Sequence, residues 1–171
     1  LLLSDPFIKR SSNVLDIGCS TGTFARMLYA RHSHKQPNIV GIDKQQNMLD
    51  KAIELDKSEN LVFKNLDLIE NELPQNNDLV SSFYTMQFIP PSVRQDVINK
   101  IFESLNWGGG FFLFEKVRAP DARFQDYINH AFMNFKLESF NAEEVVAKSN
   151  SLIGVMEPFS SQGNIDLLKR A

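Results

Sequence analysis

An α/β fold, a parallel sheet covered on both faces by helices, is what this sequence predicts. Three observations predict it. Short apolar runs alternate with segments of helical period from residue 13 to residue 117, the first run ends in a glycine-bearing loop that opens a helix, and the second ends on Asp43. A chain of 171 residues with 43% hydrophobic content supports one compact core and is too short for two ordinary ones. Residues 1–171 are therefore expected to form a single domain, with a sheet-and-helix core over 13–117 and a helical tail over 118–171.

Residues 13–17 form an apolar run closed by Gly18, and residues 24–31 then place Phe24, Met27, Leu28 and Arg31 at helical spacing. Residues 38–43 repeat the strand pattern, and residues 45–55 set Met48, Leu49, Ala52, Ile53 and Leu55 along one helical face. Residues 61–66 and 78–84 read as two further strands, joined through a polar stretch with Pro74, Asn76 and Asn77. Pro91 suits the first position of a helix whose apolar stripe (Val93, Val97, Ile98, Ile101, Phe102, Leu105) runs to a stop at Gly108–Gly110. Residues 111–114 are then the fifth strand. Beyond Val117 the segments 121–135, 142–150 and 162–169 read as helices with no strand among them, and this tail is expected to cover the site.

A net charge of −3 lacks the basic excess that draws a protein onto phosphate backbones, which disfavours nucleic acid as a partner. Cys19 is the only cysteine, so an internal disulfide is excluded and a reducing, cytoplasmic setting is expected. Leu1-Leu2-Leu3 is too short an apolar run for a membrane span. Fourteen phenylalanines suit a thick buried core. His32 and His34 are expected to be solvated, and the three histidines show no metal-ligand spacing.

The chemistry concentrates in Leu15-Asp-Ile-Gly-Cys-Ser-Thr-Gly22, where an open α/β sheet binds its ligand, between the carboxyl end of the first strand and the amino end of the first helix. Ser20 stands where a dinucleotide fingerprint would have its second glycine, which disfavours nicotinamide and flavin. The loop resembles motif I of class I methyltransferases. That resemblance implies that Gly18, Cys19, Ser20 and Gly22 cradle the amino-acid part of S-adenosyl-L-methionine (SAM), or of S-adenosyl-L-homocysteine (SAH), and that Asp16 helps hold its amino group.

Asp43 ends the second strand and has the capacity to accept hydrogen bonds from both ribose hydroxyls, beside Lys44, although capping the following helix is the alternative. Asp67 matches the acidic position near the adenine amine, with Leu68 as an apolar contact, or else is a solvated loop acid. Met48 is read either as an adenine contact or as core. For Cys19, packing is favoured over nucleophilic catalysis, because no base pairs with it in sequence.

Residues 84–101, with Gln87-Phe88 and Pro91-Ser-Val-Arg-Gln95, followed by Leu105-Asn-Trp-Gly-Gly-Gly110 and Phe114-Glu-Lys116, are similar to the carboxy-S-adenosylmethionine synthase family. The similarity extends through the tail. It implies a Rossmann-like class I methyltransferase fold, strand order 3-2-1-4-5, a homodimer, and the making of carboxy-SAM from SAM and prephenate. Three departures stand out. An arginine that holds the added carboxylate in that family is Ser149 here, within Lys148-Ser-Asn-Ser-Leu152, and an asparagine of the fourth strand is Phe83. The family's two further strands after the last helix are absent from this sequence, so the fifth strand is expected to be an apolar edge covered by other residues or by a partner chain.

Methyl transfer to a small-molecule acceptor is accordingly the leading expectation. Tyr84, Gln87, Glu115, Arg118, Arg123 and His130 are the candidates to orient that acceptor. Carboxy-SAM synthesis is the alternative, with Lys148, Arg118 or Arg123 replacing the missing arginine, and a SAM-binding protein without catalysis is the third reading.

Overall fold

The computed structural model describes residues 1–56 and 58–171. Five strands, β1 (Asn13–Ile17), β2 (Asn38–Asp43), β3 (Leu61–Asn65), β4 (Asn77–Phe83) and β5 (Leu105–Phe114), form one parallel sheet in the order β3-β2-β1-β4-β5. The helices are α1 (Thr23–His32), α2 (Gln46–Leu55), α3 (Arg94–Ser104), α4 (Ala122–Leu137), α5 (Ala142–Ser151) and α6 (Ser161–Arg170). The sheet order is the expected one, and it reverses direction between β1 and β4.

Alternation along the strands divides the core. Leu15 and Ile17 of β1, Ile42 of β2 and Val80 of β4 pack with Val97, Ile98 and Ile101 of α3 and Leu167 of α6. Val14, Ile39 and Leu79, pointing the other way, pack with Ala25 and Leu28 of α1 and Leu49 and Ala52 of α2. The buried stripe of α1 is thus Ala25, Leu28 and His32, while Met27 is exposed. His32 corrects the expectation of a solvated side chain: it is 2% exposed, with Nε2 at 2.8 Å from Ser4 Oγ. Burial lowers its pKa, so it is held neutral.

Two boundaries differ from expectation for identifiable reasons. Helix α3 begins at Arg94 instead of Pro91, because Val93 N–H donates to Pro90 O in a tight turn and Val93 lies off the helical region at φ −115°, ψ 0°. The glycines after α3 do not end a helix; the helix stops at Ser104 and β5 runs through them. The β4–β5 register jumps from Asn77↔Leu105 to Leu79↔Gly110, a bulge that Gly108 permits at φ +79° and that Asn106 Nδ2 secures on Asp78 Oδ1 at 2.8 Å.

The phenylalanines do not form a thick core. Seven are exposed (Phe88, Phe102, Phe114, Phe124, Phe132, Phe135, Phe140) and Phe63 alone of the fourteen is buried; Phe114 lies on the sheet-edge strand β5, and Phe124, Phe132 and Phe135 lie on α4, which buries none of its residues. In the tail, α6 docks on α3 through Leu167, and Gln95 Nε2 donates to Leu167 O at 3.2 Å. No helix among the described residues is long and apolar enough to cross a membrane.

Candidate functional site

The sheet order reverses between β1 and β4, so the chain leaves these two strands toward helices on opposite faces of the sheet, α1 on one and α3 on the other, and a cleft lies at the carboxyl ends of the strands. A cavity of about 520 Å³ lies there. Gly18 and Ser20 line it from the loop after β1, Asp43, Lys44 and Gln45 from the end of β2, and Leu66, Asp67 and Leu68 from the end of β3. Phe83, Tyr84, Thr85, Phe88 and Ile89 close the opposite end, and the tail contributes Val155.

Gly18 is required where it stands. Its φ is +65°, and a Cβ there would come within 2.0 Å of Thr85 Oγ1, so the β1 and β4 loops meet without a side chain between them. The loop is anchored by Cys19 N–H on Ile42 O at 3.0 Å and Gly22 N–H on Cys19 O at 2.8 Å. Ser20 and Tyr84, both at the cavity, hold positive φ values of 50° and 53°, a conformation that non-glycine residues adopt at a cost and that concentrates at ligand sites.

Asp43 joins the loops. Its Oδ2 accepts from Ser20 N–H and its Oδ1 from Gln45 N–H, each at 2.9 Å, which leaves each oxygen a further lone pair toward the cavity. The N-cap of α2 is Gln45, so the carboxylate braces the turn before the helix without capping it. Asp67 accepts from Ile69 N–H at 2.8 Å. Asp16 lies beneath the cavity, 2% exposed, accepting from Ser81 Oγ at 2.8 Å. Burial pushes its pKa up to about 7. Cys19 is also buried beneath, and burial, then the Asp16 and Asp43 charges, push its thiol pKa upward, which suits packing and not nucleophilic attack.

Of the residues singled out in the sequence, Gly18, Ser20, Asp43, Lys44, Asp67, Leu68, Phe83 and Tyr84 line the cavity, whereas Asp16, Cys19, Gly22 and Met48 do not. Glu115 turns inward: Oε1 accepts from Thr85 and Met86 N–H at 2.9 and 2.8 Å and Oε2 from Gln87 N–H at 3.1 Å, so it caps the 3-10 turn Met86–Phe88. Gln87 is buried and donates to Tyr84 O at 3.2 Å. Arg118 Nε donates to Pro158 O at 2.9 Å, Arg123 sits 5.4 Å from the Phe124 ring, and His130 is 3.1 Å from Asn134 within α4. Ser149 is exposed on α5, and neither it nor those three lines the cavity. Ile42, Gln45, Leu66, Thr85, Phe88, Ile89 and Val155 line the cavity without having been named as site residues. The stretch with Thr85, Phe88 and Ile89 carried the family resemblance but no residue type that points to a ligand, and Val155 arrives from a distant segment, so only its apolar character was visible in sequence.

Phe83 is the centre of an aromatic stack, 4.4 Å from Phe114 with rings 6° from parallel and 4.2 Å from Phe24. It makes the wall of the cleft apolar. Among the described residues no cluster of histidine, cysteine or acidic side chains is arranged to hold a metal.

A family model described as a methyltransferase domain matches residues 14–109, the segment that carries β1 to β4, the start of β5 and both cavity loops. Fold and cradle thus define the class: a SAM-dependent methyltransferase, whose cofactor is SAM. The chain is 31% identical over 166 residues to the carboxy-S-adenosyl-L-methionine synthase of Staphylococcus epidermidis, covering 96% of this chain and 72% of that protein. It is 36% identical over 161 residues to the protein of that name from Mannheimia succiniciproducens, covering 91% of this chain and 66% of that one. Within its class, the chain belongs to the carboxy-S-adenosyl-L-methionine synthase family. Among solved structures, the YcgJ protein of Bacillus subtilis superposes with a TM-score of 0.67 at 16% identity, covering 97% of this chain and 64% of that one. A phosphoethanolamine N-methyltransferase of Haemonchus contortus, in complex with phosphomonomethylethanolamine and S-adenosylhomocysteine, superposes at 0.65 with 18% identity, covering 95% and 33%.

Proposed function

We propose that this protein transfers the methyl group of SAM to a small-molecule acceptor. The residues present fit the cofactor: a side-chain-free cradle at Gly18, a carboxylate with spare acceptor capacity at Asp43, and a second acid with an apolar neighbour at Asp67 and Leu68. On this reading Gly18 and Ser20 hold the amino-acid part, with Asp16, Cys19 and Gly22 supporting the loop from beneath. Asp43 and Lys44 flank the ribose, and Asp67 and Leu68 the adenine, with Met48 packing behind. SAM supplies a methyl group made electrophilic by its sulfonium, so the protein's task is to align an acceptor and exclude water. Phe83, Tyr84, Phe88, Ile89 and Val155 do this by walling the opposite end.

One observation carries the choice of methyl over carboxymethyl chemistry. Every charged residue lining the cavity (Asp43, Lys44, Asp67) lies at the β2–β3 end, and no cation is among the residues that line the β4 end, the Arg94 guanidinium behind it being engaged on main-chain carbonyls. A carboxylate bound there would need a compensating charge, which arginine supplies bidentately and serine does not. Lys148, Arg118 and Arg123 do not line the cavity either. The second reading, carboxy-SAM synthesis from SAM and prephenate, is favoured by the relatives' shared name, and the chain spans 66 to 72% of the length of the relatives quoted above. The test is to purify the protein from cells that make both cofactors and identify the retained ligand by mass spectrometry, then repeat with Ser149→Arg. SAM or SAH is expected in the natural protein. Carboxy-SAM there would overturn the methyltransferase reading.

The same proposal takes residues 1–171 as one domain, supported by Leu167 of α6 in the cluster with Leu15 and Val80. It takes the protein as cytoplasmic, in keeping with the lone free thiol of Cys19, and as a homodimer. The edge position of β5 and the exposed Phe124, Tyr127, Ile128 and Phe135 of α4 support the homodimer, which sedimentation at two protein concentrations tests.

A further inference from the structure

Among the described residues, Arg94 is the least exposed ionisable side chain. Its residue exposure is 1%, yet it meets no carboxylate directly. Two of its three nitrogens bond main-chain oxygens: Nε and Nη2 donate to Ile89 O at 3.1 and 2.5 Å, and Nη2 also donates to Glu157 O at 3.1 Å. The guanidinium lies over the Phe159 ring, 4.1 Å from its centroid. Burying a guanidinium is costly unless its donors are used, so an arginine kept here is doing something an apolar side chain of that volume would not.

The partners say what. Ile89 ends the turn that begins at Thr85, and Thr85, Phe88 and Ile89 all line the cavity. Glu115 takes the N–H groups at the start of this turn, and Arg94 takes the carbonyl at its end, so the two opposite charges clamp it from its two poles. Glu157 belongs to the tail strap that follows α5. Its N–H donates to Gln87 O at 2.8 Å, its carbonyl accepts from Arg94, and Val155, two residues earlier, is the tail's contribution to the cavity wall. Arg118 fastens the far side of the strap, its N–H on Phe159 O at 3.0 Å. A single guanidinium therefore touches both the turn that forms one cavity wall and the strap that carries another.

We propose that Arg94 is a positioning residue for the cofactor cleft, holding the Thr85–Ile89 wall and the Val155 strap in register across it. The inference rests on the reading of the cavity as the SAM cleft, and SAH is the probe. Lysine keeps the charge without the fork, and methionine keeps the bulk without either. Arg94→Met is expected to remain folded by circular dichroism and to weaken SAH about ten-fold or more in calorimetry, on the order of one hydrogen bond to a charged group. Arg94→Lys should recover part of that loss. Ile101→Ala, a cavity made in the same helix, is the control: it should lower the melting temperature while leaving the SAH Kd within about two-fold. Amide exchange at Glu157 N–H, followed without ligand, should quicken in Arg94→Met and not in Ile101→Ala.

Wild-type SAH affinity in Arg94→Met, or equal weakening in Ile101→Ala, overturns the proposal. If the methionine variant fails to fold, Arg94→Lys is compared with the same control, and wild-type affinity there overturns it. A natural protein that does not bind SAH refutes the cofactor reading instead. In that event Glu157 exchange decides whether Arg94 clasps the strap, and unchanged exchange overturns the clasp.

Discussion

Asp43 shows how one side chain serves the fold and the ligand together. Sequence offered two roles, ribose acceptor or helix cap, and the carboxylate in fact bonds Ser20 N–H from the β1 loop and Gln45 N–H ahead of α2. Ser20, at φ +50°, donates that first bond, so the loop is braced by a residue 23 positions away in sequence. Asp43→Ala is therefore expected to weaken SAH by roughly 1 to 3 kcal/mol, from lost acceptors and a loosened loop together. Unchanged affinity in calorimetry would remove Asp43 from the site. Ser149 teaches the converse. The resemblance led to the expectation of an arginine at this position, but the exposed place of Ser149 on α5 is a property of where the tail lies, which no local pattern encodes.

At the scale of elements, the β1–α1 loop and the Thr85–Ile89 turn depend on each other. Gly18 leaves no room for a methyl group against Thr85, and Thr85 in turn bonds Phe83 O at 3.1 Å, while Glu115 gathers the next amides. Gly18→Ala forces both a contact of 2.0 Å and a side chain at φ +65°. It is expected to abolish measurable SAH binding and to lower the melting temperature, and a variant that binds SAH normally would mean that the two loops are not packed in this way. Strands and helices were legible because their periods are local. The start of α3 and the path through Gly108–Gly110 were not, because a proline turn and a bulge are decided by pairing with Pro90 and with β4. The candidate site was legible on its β1, β2 and β3 sides, where motif residues follow strands directly, and not at Phe88, Ile89 and Val155, which reach the cavity by tertiary packing.

For the whole molecule, a buried acid at the sheet centre makes stability depend on pH. Asp16 has a pKa of about 7 in the folded protein, against 3.8 for the unperturbed group, because burial disfavours its charge. Between those values the folded state holds a proton that the unfolded chain has released, so this group's contribution is full below the lower value and is lost as pH rises toward about 7. The melting temperature of the natural protein should thus fall relative to that of Asp16→Asn between about pH 5 and pH 7, since the amide keeps a partner for Ser81 without titrating. Parallel melting curves for the two proteins across that range would show that Asp16 is ionised in the fold. Glu115 shifts in the same direction through burial, and Asp5, beside Arg31, in the opposite one, so only the comparison with the variant isolates Asp16.

By itself, the sequence determined the class of fold and the acids and glycines at the carboxyl ends of its strands, while the order of the strands entered only through the family resemblance and was decided by the sheet itself. The first two follow from side-chain period, glycine permissiveness and the handedness of parallel crossovers, all of which act over a few residues or one βαβ unit. Tertiary structure alone decided the rest. It buried His32 while leaving seven phenylalanines exposed, aimed Glu115 at a turn and Arg94 at two main-chain carbonyls, and brought Val155 to a cavity whose other walls lie far away in the chain. These outcomes depend on which surfaces meet, and burial is a property of the meeting and not of the residue.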